Sequence, residues 1–89
     1  DMESQFRLGV CFFYGLGTDV NKEEALVWYQ KAAAQEEPRS QFALGRYYEK
    51  GIVVKRNKKK ALFWYQKAAD QGHEDAIEKC RRLIPSEEE

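Results

Sequence analysis

The chain has few of the residue types on which catalytic and metal sites depend. Its 89 residues include one histidine, two cysteines, two prolines and one methionine. One histidine and two scattered cysteines do not make a zinc site, and two cysteines are too few for a disulfide scaffold. No apolar run approaches the roughly 18 residues of a membrane span. We therefore predict no metal, no other cofactor and no membrane partner.

Motifs of catalysis are missing as well. No glycine-rich loop carries a phosphate-binding lysine. The segment Asp19-Val20-Asn21 begins like a calcium loop but lacks the remaining ligands and the closing glutamate. His73 stands alone in a turn, where an ordinary turn role is the preferred interpretation. We predict that the chain is not an enzyme.

The sequence also has no net charge, because 15 basic and 15 acidic residues cancel. Bulk electrostatics therefore favour neither nucleic acid nor a membrane surface. The two halves differ, however. Residues 1–45 carry 4 basic and 7 acidic groups, whereas residues 46–89 carry 11 and 8.

The cellular location is weakly constrained by the sequence. The start, Asp1-Met2-Glu3-Ser4, lacks signal-peptide character and resembles the middle of a longer protein. Cys11 and Cys80 fall on the first and third A helices, two stacking steps of about 8–10 Å apart. This exceeds the roughly 7 Å between Cα atoms that a disulfide allows, so we predict two free thiols. These features favour the cytoplasm, with the nucleus or an organelle lumen left open.

What the chain does have is an internal repeat. Residues 25–33 read ALVWYQKAA, and residues 61–69, at an offset of 36, read ALFWYQKAA. Aligning residues 4–39 with residues 40–75 gives 17 identities in 36 positions. Self-similarity at such a period is typical of repeat arrays. We therefore predict one domain over residues 1–85, with repeat 1 about 4–39, repeat 2 about 40–75 and an acidic tail at 86–89.

Each repeat is predicted to form a helix A, a loop and a helix B. The five helices are expected at about 3–14, 22–35, 39–50, 58–71 and 74–84, and the last is a capping helix. Gly15 and Gly51 suit a helix exit, Asn21 and Asn57 suit the N-cap, and Pro38 suits a first helical turn.

Two features of these helices predict how they pack. At 100° per residue, the alanines, the tryptophan and the tyrosine of the repeated motif share one face of helix B, so we interpret both aromatic pairs as core. Gly9 and Gly45 lie in the middle of helix A, where glycine costs about 1 kcal/mol relative to alanine. We infer that helix B packs directly on the backbone there.

These residues resemble the Sel-1-like repeat family, a relative of the tetratricopeptide repeats. The resemblance rests on Leu8-Gly9, Gly15, Gly17, Ala25, Trp28-Tyr29 and Lys31-Ala32-Ala33, and again on Leu44-Gly45, Tyr48, Gly51, Ala61, Trp64-Tyr65, Lys67-Ala68-Ala69 and Gly72. It implies an all-α, right-handed superhelix of two helix pairs plus the C-terminal capping helix, acting as a non-catalytic adaptor between proteins. Glu36 and Val53 replace family glycines, so those two turns are expected to differ in shape.

The first candidate site is the concave face that helix A presents in such superhelices. It would be basic, with apolar residues at one end, and would suit a partner peptide or helix bearing acidic groups. The candidate contact residues are Arg7, Val10, Phe13, Tyr14, Arg46, Tyr47, Lys50, Lys79 and Arg82.

The second candidate is a basic run in the second repeat, formed by Lys55, Arg56, Lys58, Lys59 and Lys60. The first repeat has Asp19, Val20, Lys22, Glu23 and Glu24 in those places, so the repeat itself does not require the charge. Lysines in the first turn also oppose the helix dipole. The alternatives are a solvated loop, a nuclear-import signal, or a site for another anionic partner. Nucleic acid is the less expected partner.

Two further hypotheses remain open. Val27 and Phe63 lie opposite the core stripe of helix B, where a convex apolar strip would serve self-association or partner contact, unless they are isolated surface residues. The second hypothesis is that the chain is the regulatory or targeting domain of a larger enzyme.

Overall fold

The computed structural model describes residues 1–84 and consists, over that range, of helices and turns without strands. The five helices are α1 (Met2–Tyr14), α2 (Lys22–Ala34), α3 (Pro38–Lys50), α4 (Lys58–Asp70) and α5 (Glu74–Leu83). The all-α repeat fold is therefore as predicted, and the expected helix bounds are correct to within one residue. Residue 85, the predicted end of the domain, and the acidic tail lie outside the described residues.

The residues predicted to begin α2, α3 and α4 have the roles expected from the sequence. The Asn21 side chain accepts a hydrogen bond from the backbone N–H of Glu24 at 2.9 Å, and Asn57 accepts one from Lys60 at 3.1 Å. Pro38 occupies the first turn of α3. The side chain of Glu37, which is 3% exposed, caps the same helix. Local sequence therefore sets where the helices begin.

We expected the turns at Glu36 and Val53 to differ from their glycine counterparts, but their backbone φ angles are similar. Glu36 has φ 67° where Gly72 has 87°, and Val53 has φ 64° where Gly17 has 78°. Equivalent backbone hydrogen bonds close each loop, from Asn21 to the Phe12 carbonyl at 2.7 Å and from residue 57 to residue 48 at 2.9 Å. The helices on either side thus impose a left-handed backbone on residues that rarely adopt it.

Each helix B packs directly on the glycine of its helix A, as inferred from the sequence. A Cβ placed on Gly9 would lie 2.7 Å from ring carbons of Tyr29, and one on Gly45 would lie 2.5 Å from ring carbons of Tyr65. Both rings are buried, with Tyr29 4% exposed and Tyr65 fully buried. The glycines therefore make room for the tyrosine rings.

The tryptophans of the motif are less buried than we predicted. Tyr29 and Tyr65 belong to the core, but Trp28 and Trp64 are only half-buried. The indole N–H of Trp28 donates to Glu24 on its own helix at 3.2 Å. The motif therefore contributes its tyrosine to the core and leaves one side of its tryptophan at the surface.

The helices pack in chain order, each mainly on its sequence neighbours, which gives an elongated solenoid of 46 × 25 × 17 Å. The capping helix α5 covers α4 through Ala76 and Cys80, both buried. Cys11 and Cys80 are free thiols in this structure, and burial raises the pKa of Cys80.

Candidate functional site

A groove of about 300 Å³ opens on the A-helix side of the solenoid. It takes residues from α1, α2 and α3, from the loop after α3, from the turn before α5 and from the start of α5. Five of the predicted contact residues lie in it, namely Val10, Phe13, Tyr14, Arg46 and Tyr47. The other eight lining residues were not predicted for this site from the sequence: Phe6, Tyr29, Arg39, Phe42, Ala43, Ile52, His73 and Asp75. The groove is therefore more aromatic than expected.

The floor of the groove is a stack of aromatic rings. Tyr47 packs edge-on against Phe13 at 5.8 Å and against Tyr29 at 6.1 Å between ring centroids. Its hydroxyl donates to the Lys22 carbonyl oxygen at 2.8 Å, and burial raises the pKa of both tyrosines. Tyr47 is only 1% exposed. It is therefore a core residue under the groove and not the exposed partner contact that we predicted.

Two arginines lie at the groove, and they differ in their ion pairs. Arg39 donates to Glu37 at 2.8 Å, pairs with Glu3, and lies 4.1 Å from the centroid of the Phe6 ring. The hydrogen bond to Glu37 is the main reason why the pKa of Arg39 is raised. Arg46 is partly buried and makes no ion pair with any residue in 1–84. Arg46 is thus the cation that remains available to a ligand in the groove.

Three of the predicted contact cations are already paired and do not line the groove. Arg7 pairs with Glu3 at 3.2 Å, and Arg82 pairs with Glu78 at 3.2 Å, each one turn away on the same helix. The fourth cation outside the groove, Lys50, is exposed at the end of α3. The predicted basic face is therefore reduced at the groove to Arg46, beside the paired Arg39.

The third paired cation, Lys79, belongs to a polar network that joins three helices. Its ammonium lies 3.1 Å from a carboxylate oxygen of Glu49, which also accepts a hydrogen bond from the Tyr65 hydroxyl at 2.6 Å. Burial favours the neutral form of Glu49, but the bonds from Tyr65 and Lys79 outweigh it, so the pKa of Glu49 is lowered. We had predicted Lys79 as a free contact residue. The structure corrects this, because Lys79 is paired with Glu49 and holds α5 onto the repeat.

His73 has the turn role that the sequence favoured. Its Nδ1 accepts from the backbone N–H of Ala76 at 3.2 Å and so caps α5. Its ring stacks on Phe42 with centroids 4.8 Å apart and planes 24° apart. A signal for the missed Phe6 was present in the sequence, because it precedes the predicted contacts Val10 and Phe13 by four and seven residues, a helical spacing.

The basic run and the convex positions are all at the surface. Lys55, Arg56 and the three lysines after Asn57 are exposed, and none has an ion pair within residues 1–84. Val27 is 42% exposed and Phe63 is 57% exposed. The Phe63 ring meets Trp64 edge-on at 5.1 Å. A surface that is both basic and aromatic therefore surrounds the start of α4.

Residues 1–84 contain no group of histidine, cysteine, aspartate or glutamate side chains that could hold a metal ion. Over the same range, none of the helices combines the length and the apolar character needed to cross a bilayer.

Comparison with known proteins gives consistent relatives. The family model described as Sel1 repeat matches residues 3–36 and 38–73. The chain is similar to a Sel1 repeat protein from Oxalobacter formigenes, with 41% identity and a TM-score of 0.90 over 93% of this chain and 34% of that one. It is also similar to c5321, a protective antigen of uropathogenic Escherichia coli strains with an SLR fold, with 30% identity and a TM-score of 0.89 over 93% of this chain and 18% of that one. A search of curated proteins gives no match.

The chain therefore spans about a third or less of the length of these solved relatives. Repeats of this kind generally serve as protein–protein interaction modules, and the family is typically a non-catalytic scaffold. The two matched stretches include both helix pairs, with their glycine–tyrosine contacts and their capping asparagines. On this sequence and structural evidence, the chain belongs to the Sel1 repeat family.

Proposed function

We propose that the A-helix groove binds another protein, through a segment that places an apolar side chain on the aromatic floor and a carboxylate against Arg46. The observation that carries this proposal is the partly buried Arg46, which has no ion pair within residues 1–84. A guanidinium offers a planar set of donors that matches a carboxylate in two-point geometry.

The apolar part of the groove supports the same partner chemistry. Phe6, Val10 and Ile52 line it and are each half-buried. A cavity of about 300 Å³ is at the lower end for ligand pockets, which suits one or two side chains of a peptide or helix. Binding would then combine burial of an aromatic or branched side chain with one charge-assisted pair.

The chain offers a matched pair of substitutions to test this proposal. Arg46→Glu reverses the charge in the groove, whereas Lys50→Glu reverses a charge one helical turn away that does not line it. A displayed library of random peptides would be selected on the wild-type chain, and the affinities of the selected peptides would be measured for all three proteins. Removal of one partner of a desolvated charge pair costs about 2–5 kcal/mol.

We expect the selected peptides to combine an acidic residue with an aromatic or branched one. Arg46→Glu should lower their affinity by at least tenfold, whereas Lys50→Glu should leave their affinity near that of the wild type. An equal loss in both variants would indicate general electrostatics rather than this groove. Unchanged affinity in Arg46→Glu would refute the proposal. Circular dichroism of each variant checks that it is folded.

A further inference from the structure

The two B helices carry opposite charges around an equivalent exposed apolar residue. Val27 follows Glu23 and Glu24 by four and three positions on α2, and Phe63 follows Lys59 and Lys60 by the same spacings on α4. Residues three and four apart lie side by side on a helix. Each B helix therefore presents a compact surface cluster. We define the acidic patch as Glu23, Glu24 and Val27, and the basic patch as Lys59, Lys60 and Phe63.

The side chains of the basic patch line one depression together. The same shallow hollow is lined by Lys59, Lys60 and Phe63 together with Tyr48 and Trp64. The Lys60 ammonium lies 5.4 Å from the centroid of the Tyr48 ring. Phe63 is 57% exposed although it adjoins Trp64. Lys59 and Lys60 have no ion pair within residues 1–84. An exposed ring beside these lysines suits a partner that is apolar at its centre and acidic at its edge.

The acidic patch has that composition, with an apolar centre at Val27, which is 42% exposed, and two glutamates beside it. Because the patches occupy equivalent positions one repeat apart, they lie along the same side of the solenoid. A second copy turned end to end would set each acidic patch against the other copy's basic patch. Such a two-fold contact uses every interaction twice.

The charge of the whole chain fits a second copy better than a polyanion. The formal net charge is zero, so two copies do not repel each other overall. The first half is acidic and the second half basic, which complements an antiparallel copy. A nucleic acid that followed the basic patch along the same side would meet the acidic patch one repeat away.

We propose that this chain forms an antiparallel two-fold dimer in which the acidic patch of each copy docks on the basic patch of the other. The dimer uses the B-helix side, whereas the groove lies on the A-helix side, so the two proposals are independent. Lys59 and Lys60 are unfavourable at the start of α4, because a positive charge there opposes the helix dipole. Glu23 and Glu24 are favourable at the start of α2, because a negative charge there complements it. The dimer places acidic groups against the start of α4 and so offsets this conflict.

The test is the molar mass of the 89-residue chain in solution, measured by sedimentation equilibrium, with charge-reversal variants. The wild type is expected to dimerise at ~0.1 M salt, where charges act over about 10 Å, and to dissociate towards ~1 M salt, where they act over about 3 Å. Lys59→Glu/Lys60→Glu and Glu23→Lys/Glu24→Lys are each expected to weaken the dimer by at least tenfold. Mixing these two variants in equal amounts restores complementary patches and is expected to restore a heterodimer.

Two controls separate the contact from folding and from net charge. Lys59→Glu/Lys60→Glu puts acidic residues at a helix start, where they are favourable, so loss of its dimer does not reflect unfolding. Arg81→Glu/Arg82→Glu changes the net charge equally, away from both patches, and is expected to leave the dimer intact. The proposal is overturned by a monomeric wild type at every salt concentration, by dimers that tolerate either reversal, or by a mixture that stays monomeric. A monomer that binds a single-stranded oligonucleotide would assign the basic patch to nucleic acid instead.

Discussion

Replacing Gly45 by alanine should destabilise the protein, although alanine is the better helix former. In the middle of a helix, alanine is favoured over glycine by about 1 kcal/mol. At this position, however, the new methyl carbon would lie 2.5 Å from two ring carbons of Tyr65. Ordinary carbon contacts are about 3.5–4.0 Å, so the ring or the helix has to move by about 1 Å. Helix propensity and packing therefore predict opposite signs for the same substitution.

The ring of Tyr65 has little freedom to move. It is fully buried, and its hydroxyl is held by Glu49 at 2.6 Å. Overpacking a core typically costs about 1–3 kcal/mol, and this site is expected at the upper end because movement also strains a charge-assisted hydrogen bond. After the gain in helix propensity, the free energy of unfolding should fall by about 2 kcal/mol.

Thermal and urea unfolding, followed by circular dichroism, measure this change. A loss of about 2 kcal/mol lowers the Tm of a domain of this size by roughly 8–16 °C. Gly9→Ala is the matched control, since its methyl carbon would lie slightly farther from its tyrosine, at 2.7 Å, and a smaller loss is expected. Tyr65→Phe frees the ring from Glu49, so Gly45→Ala should cost less in that background. A rise in the Tm of Gly45→Ala would refute the packing argument.

Two other predictions concern the tyrosines and the loop of the second repeat. Burial raises the pKa values of Tyr29, Tyr47 and Tyr65 in the folded state, so the stability they confer is complete below the unfolded value of about 10 and is lost as the pH rises above it. Ultraviolet titration should show these groups ionising together with loss of helix, and complete ionisation with the helical signal unchanged would contradict this. Val53→Gly removes the strain of a left-handed backbone, about 1–2 kcal/mol. Glycine also loses more conformational entropy on folding, about 0.5–1 kcal/mol. Urea unfolding should therefore show a net stabilisation of about 0.5–1 kcal/mol. Gly17→Ala, where an added Cβ meets nothing within 4 Å, should destabilise; equal stability in all three proteins would count against the strain.

The helices were predictable because their signals are local. Repeat spacing, capping asparagines and exit glycines all act within one turn of the helix end that they define. The glycine–tyrosine contact could be predicted only in part. A glycine in the middle of a helix indicates that another element packs closely there, but it does not identify the side chain that fills the space. The sequence could not show that Tyr29 and Tyr65 do so while the neighbouring tryptophans stay half-exposed.

The charged part of the candidate site was predicted less well, for a definable reason. Arg7 and Arg82 have acidic residues four positions earlier on the same helix, a spacing that was available in the sequence. Lys79 pairs with Glu49 across two helices, and such a pair depends on how the helices stack. The availability of Arg46 likewise follows from what surrounds it in three dimensions.

The left-handed residues in the two repeats also affect the order in which the repeats fold. The first loop has glycine at its left-handed position, Gly17, so it can close before its helices dock. The second loop has Val53 there, and its closure is unfavourable until docked helices hold it in place. Lysines at the start of α4 delay that helix further, because they oppose its dipole. The first repeat is therefore expected to form early and to act as the template on which the second repeat folds.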